Sequence, residues 1–458
     1  MTLSPLLVAP EDYSLLTDLY QLTMSACYVG EGLDQRRASF ELFARRLPPN
    51  FGYLIAMGLT QAVEYLQALH FSDRHLTELQ ATGIFDQAPA AFWETLRAAR
   101  YTGDVWAVPE GTAVFANEPL LRIEAPLWQA QIVETYLLNT LNYQTLIATR
   151  AARLRDVAGP TAKLLEFGTR RAFSPQGAVW AARAALAGGL TATSNVLAAL
   201  KLGQKPTGTM AHALVMAIAA VEGSESEAFE AFHRYFPGAP LLIDTYDTLA
   251  AARHLAARRS QGEQALAGVR LDSGDLVTLS QQVRSHLPDV PIFASGDLDE
   301  YEIERLNQAG ACIDGYGFGT RLVTGTPVNG VYKLVEIDGL PVMKESESKI
   351  TYPGRKQIFR QDAGNGGISE YLGLAAETPP AGALPLLQPV MQAGKLLAPL
   401  TSLPEIAQRT TRSVQSLPAS VRAVQGATPL PVETTAALAE LTAATRQGTT
   451  ALAAQVYS

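Results

Sequence analysis

Cysteine is scarce: only Cys27 and Cys312 occur in 458 residues. Two cysteines exclude a disulfide framework and any four-cysteine zinc site, and they fit a reducing compartment, so a cytoplasmic protein is expected. Long apolar runs are missing too. No stretch reaches the roughly eighteen apolar residues that a membrane span requires. The alanine-rich segment 178–187 is interrupted by Arg183, and the apolar run after His212 ends at Glu222. The opening residues MTLSPLLVAPEDYS lack a basic region and a long apolar core, so no secretory signal is expected. Positive charge is also in deficit. The formal net charge of -8 argues against nucleic acid held by bulk charge, yet it leaves room for a local basic pocket.

What is present is an ordinary globular composition, 47% hydrophobic and 17% charged, on a chain too long for one core. Residues 1–145 mix strand and helix patterns. ASFELFARRL (38–47) alternates as a strand, 52–69 has helical spacing, and 104–126 reads as short strands turning at 109–111 and 117–119. A long helix is expected over about 128–155. From there to residue 330, short apolar runs recur, each ending in a polar or glycine-rich cluster and followed by a helical pattern. The runs lie at 162–171, 190–195, 240–247, 268–275, 291–297 and 312–320. Such a rhythm predicts parallel strands with helical crossovers, and the polar clusters fall where α/β barrels place their ligands. The last part, 331–458, reads as a hairpin turning at Asp338-Gly339, an irregular connection over 374–400 and helices near 402–416 and 433–446. Strands from 330–370 are expected to complete the N-terminal domain.

The strand ends collect groups suited to phosphate. SGD occurs as Ser273-Gly274-Asp275 and again as Ser295-Gly296-Asp297, and GFGT spans Gly317, Gly319 and Thr320. Glycine lets the backbone approach an anion, and free N–H groups at a following helix start bind it. Arg170 and Arg171 follow EFGT, and Arg270 sits between Val269 and Leu271. An arginine inside a buried strand needs an anion: an internal partner such as Asp272 or Glu166, or a substrate carboxylate or phosphate. His212, within GTMAHALVMA, is open to two readings as well. It is a core histidine satisfied by a carbonyl, or it lies in the first helical turn after a Thr207 or Thr209 cap as base or nucleophile. Thr17 is the expected cap of the helix carrying Tyr20. Lys344, Lys349, Arg355, Lys356 and Arg360 form either a solvated hairpin or a basic rim for pyrophosphate or ATP.

Taken in order, TDLYQLTM, FELFARRLP, EFGTRRAFSPQGA, TSN, GTMAHALVMA, DTYDT, VRLDSGDL, GFGTRLVT and GVYKLVE resemble nicotinate phosphoribosyltransferase, from about residue 12 to 360. The resemblance implies an α/β fold: the irregular (β/α) barrel of type II phosphoribosyltransferases (146–330) plus an N-terminal α+β sandwich-like domain (1–145). It implies transfer of phosphoribosyl from 5-phosphoribosyl-1-pyrophosphate (PRPP) to nicotinate, coupled to ATP with Mg²⁺, in a homodimer with shared active sites and without nucleic acid or membrane. By the same resemblance His212 is the histidine that ATP phosphorylates. Tyr20, from the neighbouring subunit, and Phe167 sandwich the pyridine ring. Arg170, Thr209 and Arg270 lie at the nicotinate, Asp272 lies on the ribose and pyrophosphate side, and Gly319 and Thr320 take the 5-phosphate. Ser194 stands where nicotinamide-using relatives carry an aspartate, so the acid is expected over the amide. Some relatives hold structural zinc through cysteines, and none is expected here. Nicotinamide or quinolinate transferases, or a non-catalytic metabolite-binding relative, are the alternatives. Asp244 and Asp247 are candidates to orient His212.

Overall fold

The apolar runs of the middle of the chain form six parallel strands: β1 (Lys163–Glu166), β2 (Ala192–Thr193), β3 (Leu241–Leu242), β4 (Val269–Leu271), β5 (Ile292–Ala294) and β6 (Gly315–Phe318). They are seen in a computed structural model that describes residues 6, 8–261, 266–346, 349–364 and 367–456. The sheet order is β2-β1-β6-β5-β4-β3. The first strand therefore pairs with the last, Gly315 opposite Lys163 and Phe318 opposite Glu166, and the sheet curls into a barrel. Among the described residues no ladder joins β2 to β3, so the barrel has one open seam. The strands are buried because helices cover them: Leu164, Leu241, Val269, Leu271, Ile292 and Phe318 are fully inaccessible.

The connecting helices are α1 (Pro175–Ala187), α2 (Val196–Lys201), α3 (His212–Glu222), α4 (Glu225–Tyr235), α5 (Thr248–Ser260), α6 (Leu276–His286), α7 (Glu300–Gln308) and α8 (Thr320–Val323). Their starts account for some of the polar residues at the strand ends. Asn195, Asp247, Asp275 and Asp299 each accept a backbone N–H of the helix that follows, which satisfies donors left orphaned in a first turn.

The chain divides into two units, with 147–326 and 424–426 in the barrel unit and 1–146, 327–423 and 427–458 in the other. In the second unit a seven-stranded antiparallel sheet runs 340–341, 330–337, 37–44, 119–126, 104–107, 388–392, 395–396. A four-stranded sheet follows the order 383–385, 356–364, 367–374, 432–434. Residues 327–423 and 427–458 thus cluster with the N-terminal residues. Asp338 and Gly339 make the expected tight turn, both with positive φ.

Several local expectations are corrected. The helix over 52–69 starts only at Leu59, because Leu54–Ile55 pair with 113–114 and Gly58, at φ 103°, blocks helical continuation. The long helix breaks at Val133 into Leu127–Ile132 and Glu134–Ala158. The supposedly irregular 374–400 carries three strands, two of which extend the larger sheet. Asp18, not Thr17, is the cap residue of Leu19–Gly30. The basic segment is neither a solvated hairpin nor a rim. Lys356 is buried against Glu41 at 2.9 Å, Arg360 binds buried Glu370, and Arg355 pairs with Glu124 and Glu336. The side chain of Lys349 lies outside the described residues, while Lys344 is exposed. No described helix is long and apolar enough to cross a membrane.

Candidate active site

The C-terminal mouth of the barrel brings together most of the residues singled out from sequence. His212 is the first residue of α3, after a cap position taken by Ala211, whose side chain accepts no bond. Neither threonine serves as cap. The Thr207 N–H donates to the Thr193 carbonyl at 2.8 Å, and the Thr209 hydroxyl donates to Met210 O at 3.3 Å. Segment 207–210 therefore lies along the end of β2, at the seam. The His212 side chain is 38% exposed, which excludes a core histidine. Its Nδ1 meets the Thr245 hydroxyl at 3.1 Å, and its Nε2 stands 4.0 Å from both Asp244 Oδ1 and Asp272 Oδ2.

Asp244 is the hub of this cluster. Its carboxylate is almost fully buried, and Oδ2 accepts the Asp272 N–H and the Ser273 hydroxyl, each at 2.7 Å. Oδ1 has no hydrogen-bond partner. Asp247, the other candidate, caps α5 instead, accepting from Leu249 and Ala250. Ser295 donates to Asp272 Oδ1 and fixes that carboxylate from β5. Gly296, at φ 91°, passes so close beneath that an added Cβ would lie 2.5 Å from the Asp272 carbonyl oxygen, so the second SGD glycine is there for packing as much as for any anion.

Among the described residues no carboxylate forms an ion pair with Arg270. Its Nη2 donates to Met210 O at 2.9 Å, its Nε is buried without a partner, and its guanidinium lies 5.9 Å from the Phe167 ring centre. Glu166, the proposed partner, is taken by the Thr193 hydroxyl and the Gly168 N–H. Burial pushes the Arg270 pKa below its ordinary value. Asp272 and then Asp244 oppose that shift, and the like charge of Arg170 adds to it. A buried guanidinium donor left unmatched in this way is suited to an anionic partner.

Other predicted residues fall around this centre. Ser194 follows β2, where its N–H donates to Glu166 O at 2.9 Å. Gly317 in β6 leaves room for Phe167, whose ring would be 2.5 Å from an added Cβ. Gly319 and Thr320 open the short α8, Gly274 has φ 83°, and Asp297 is exposed after β5. Tyr20 is not among the barrel residues: it lies half-exposed on Leu19–Gly30 of the other unit. Sequence reasoning missed Thr245 as a partner of His212 and Ser295 as a partner of Asp272. For Thr245 and Ser295 a signal existed, since both stand inside motifs already noted.

Three segments of the sequence match one family: the NAPRTase N-terminal domain over residues 15–142, the nicotinate phosphoribosyltransferase (NAPRTase) family over 162–294 and its C-terminal domain over 375–442. The chain belongs to the nicotinate phosphoribosyltransferase family. It is 44% identical over 367 residues to the nicotinate phosphoribosyltransferase of Bacillus subtilis, covering 76% of this chain and 73% of that one. With nicotinate phosphoribosyltransferase pncB2 of Mycobacterium tuberculosis it shares 42% over 392 residues, 83% of this chain and 82% of the relative. Among solved structures, human nicotinic acid phosphoribosyltransferase superposes with a TM-score of 0.82 at 31% identity, over 93% of this chain and 99% of that one. Membership in this enzyme family accounts for the parallel barrel and for the second unit alongside it.

Proposed function

We propose that the chain transfers phosphoribosyl from PRPP to nicotinate, giving nicotinate mononucleotide and pyrophosphate for NAD salvage, with ATP hydrolysis coupled through His212. The observation that carries this reading is the setting of His212: an accessible imidazole at a helix start, between a hydroxyl and two carboxylates, with the buried Arg270 Nε left without a partner in the same barrel mouth. In the main reaction the pyridine nitrogen of nicotinate bonds to C1 of the ribose while the C1–O bond to pyrophosphate breaks. Pyrophosphate leaves with the electron pair, and no proton need move. Charge builds on the ribose as in other glycosyl transfers, so positioning and fixed charges are the main levers.

Arg270 and Arg170 are assigned to the nicotinate carboxylate, with Thr209 nearby and Phe167 on one face of the ring. Ser194 presents no negative charge there, which favours nicotinate over nicotinamide. Asp272 lies on the ribose and pyrophosphate side; Ser273, Gly274, Gly296, Gly317, Gly319 and Thr320 supply the phosphate loops. Among the described residues no group of three or more His, Cys, Asp or Glu side chains could hold a metal ion. A Mg²⁺ therefore fits as an ion carried largely by substrate phosphate oxygens, with Asp297 as the protein carboxylate at hand; there it would neutralise the leaving pyrophosphate.

For the coupling step, a ring nitrogen of His212 bonds to the γ-phosphorus of ATP, the bond from that phosphorus to the bridging oxygen breaks, and ADP departs. Water later cleaves the N–P bond and releases inorganic phosphate. A homodimer is part of the reading, with Tyr20 of a second copy completing the ring sandwich. Its support is an apolar face: α3 buries only Val215, while Met216 and Val221 are exposed, as are Val196, Leu197 and Leu200 of α2.

The deciding experiment is product detection by mass spectrometry with nicotinate, nicotinamide or quinolinate and PRPP, with and without ATP, for wild type and His212→Asn. Wild type is expected to form nicotinate mononucleotide and to be stimulated by ATP. The variant should keep a slow ATP-independent transfer with no stimulation. Unchanged ATP stimulation in His212→Asn would remove the phosphohistidine role, and binding of both substrates without turnover would point to a non-catalytic relative.

A further inference from the structure

Arg150 has no part in the reading above, yet its side chain ends against the phosphate loops. It lies in the part of helix Glu134–Ala158 that belongs to the barrel unit. Its Nη1 donates to the Arg321 carbonyl at 2.6 Å and to the Thr324 carbonyl, both at the C-terminal end of α8. Carbonyls at a helix end lack intrahelical donors, and a cation there meets both that need and their partial negative charge. Asp299 and Glu300, whose charges act on Arg150, are engaged by other arginines. Glu300 binds Arg153 at 2.9 Å and Asp299 binds Arg321 at 2.5 Å. Gly325 follows at once with φ 118°, and a Cβ added there would collide with the Arg150 guanidinium. The glycine keeps that space for the arginine.

The turn that Arg150 ties down carries two loops of the mouth. On one side, the Gly319 carbonyl accepts the Leu322 N–H at 3.1 Å. The Thr320 carbonyl accepts the Thr324 N–H at 3.0 Å and the Thr324 hydroxyl at 2.7 Å. On the other side, Val323 packs against Gly168 so closely that no Cβ would fit, one residue from Phe167 and two from Arg170. We propose that Arg150 is a positioning residue for the phosphoribosyl end of the substrate. By fixing the end of α8 it sets Gly319 and Thr320 in place for the 5-phosphate, acting through the helix and not by contact with substrate. The inference rests on Gly319 and Thr320 taking that phosphate. It sets the 5-phosphate apart from the pyrophosphate, whose assigned residues on β4 and β5 have no bond to Arg150 among the described residues.

The test is calorimetric binding of ribose 5-phosphate and, separately, of inorganic pyrophosphate with Mg²⁺ to the full-length protein. Arg150→Met keeps the length of the side chain and removes its donors. It should bind ribose 5-phosphate roughly tenfold more weakly, the effect of one hydrogen bond to a charged group, and pyrophosphate as wild type does. Intact pyrophosphate binding doubles as proof that the variant is folded. Arg150→Lys, which retains the charge and can reach one carbonyl, should recover part of the loss. Gly325→Ala displaces the guanidinium and should weaken ribose 5-phosphate in the same way. The double variant Arg150→Met with Gly325→Ala should fall little below the weaker single one, since both remove the same tie. In turnover, the loss should appear in the KM for PRPP and leave kcat nearly unchanged. Equal losses for ribose 5-phosphate and pyrophosphate would make Arg150 a general structural residue and overturn the inference, as would effects that multiply in the double variant. Binding of ribose 5-phosphate equally by wild type and Arg150→Met would sink the inference alone. Absence of that binding in wild type would sink the phosphate assignment of Gly319 and Thr320, and the inference with it.

Discussion

Asp244→Asn is the perturbation that most directly probes how the barrel mouth supports His212. The amide oxygen can still accept the Asp272 N–H and the Ser273 hydroxyl, now at 2.7 Å each, so the local fold should persist. Replacing a charged acceptor by a neutral one weakens each bond by about 1 kcal/mol, giving roughly 2 kcal/mol in all and a melting point lower by about 4–8 °C. The effect on chemistry has a separate origin. A unit charge 4.0 Å from a cationic imidazole ring is worth about 1 kcal/mol at water's dielectric constant and about 4 kcal/mol at an effective value of 20. The ring is partly exposed and Asp272 remains at an equal distance, which places the loss near the lower end. Phosphohistidine formation should fall by roughly 5- to 30-fold, about 1–2 kcal/mol. The assay is label transfer from ATP alongside product formation without ATP. Nearly unchanged ATP-independent transfer with a selective loss of labelling is the expected outcome. Equal losses in both would refute the reasoning, because they would assign Asp244 to the architecture of the mouth and not to the charge on His212.

Two further outcomes follow from the site. Ser194→Asp should lower kcat/KM for nicotinate by roughly 10- to 100-fold while sparing nicotinamide, since a second carboxylate would oppose that of the substrate; parallel losses for both would move Ser194 away from the ring substituent. Gly296→Ala must adopt a left-handed φ of 91° and push against the Asp272 carbonyl, so about 2–4 kcal/mol of stability should be lost, with slower turnover from a displaced Asp272; an unchanged melting curve would show that the loop relaxes freely.

The barrel was legible because each strand is a short apolar run stopped by a polar cluster, and the clusters mark the ligand face. Which polar residue caps a helix and which faces the mouth was not legible. Asp244 and Asp247 are three residues apart in one motif, yet one is the hub and the other a cap. Local pattern has no means to separate them, because both uses favour aspartate. Charge pattern misled at 344–360, where Lys356 and Arg360 alternate inward toward Glu41 and Glu370. Those carboxylates lie far away in sequence or one strand on, so only the strand pairing reveals them. Proline and glycine hid the strands at 383–396, where Pro389 sits beside a register shift against Trp106.

The open seam between β2 and β3 has a mechanical consequence. A fully laddered ring is stiff all round, and any tilt of one wall must break hydrogen bonds somewhere. A ring with one cut behaves like a clamp: its two lips can part or close while every existing ladder stays intact. His212, the residue proposed to take the phosphoryl group, sits on the segment bridging those lips, tied to β2 through Thr207 and to the end of β3 through Thr245. A phosphoryl group added there would act at the point where the barrel resists deformation least, so a small local repulsion could reset the bore in which both substrates must fit.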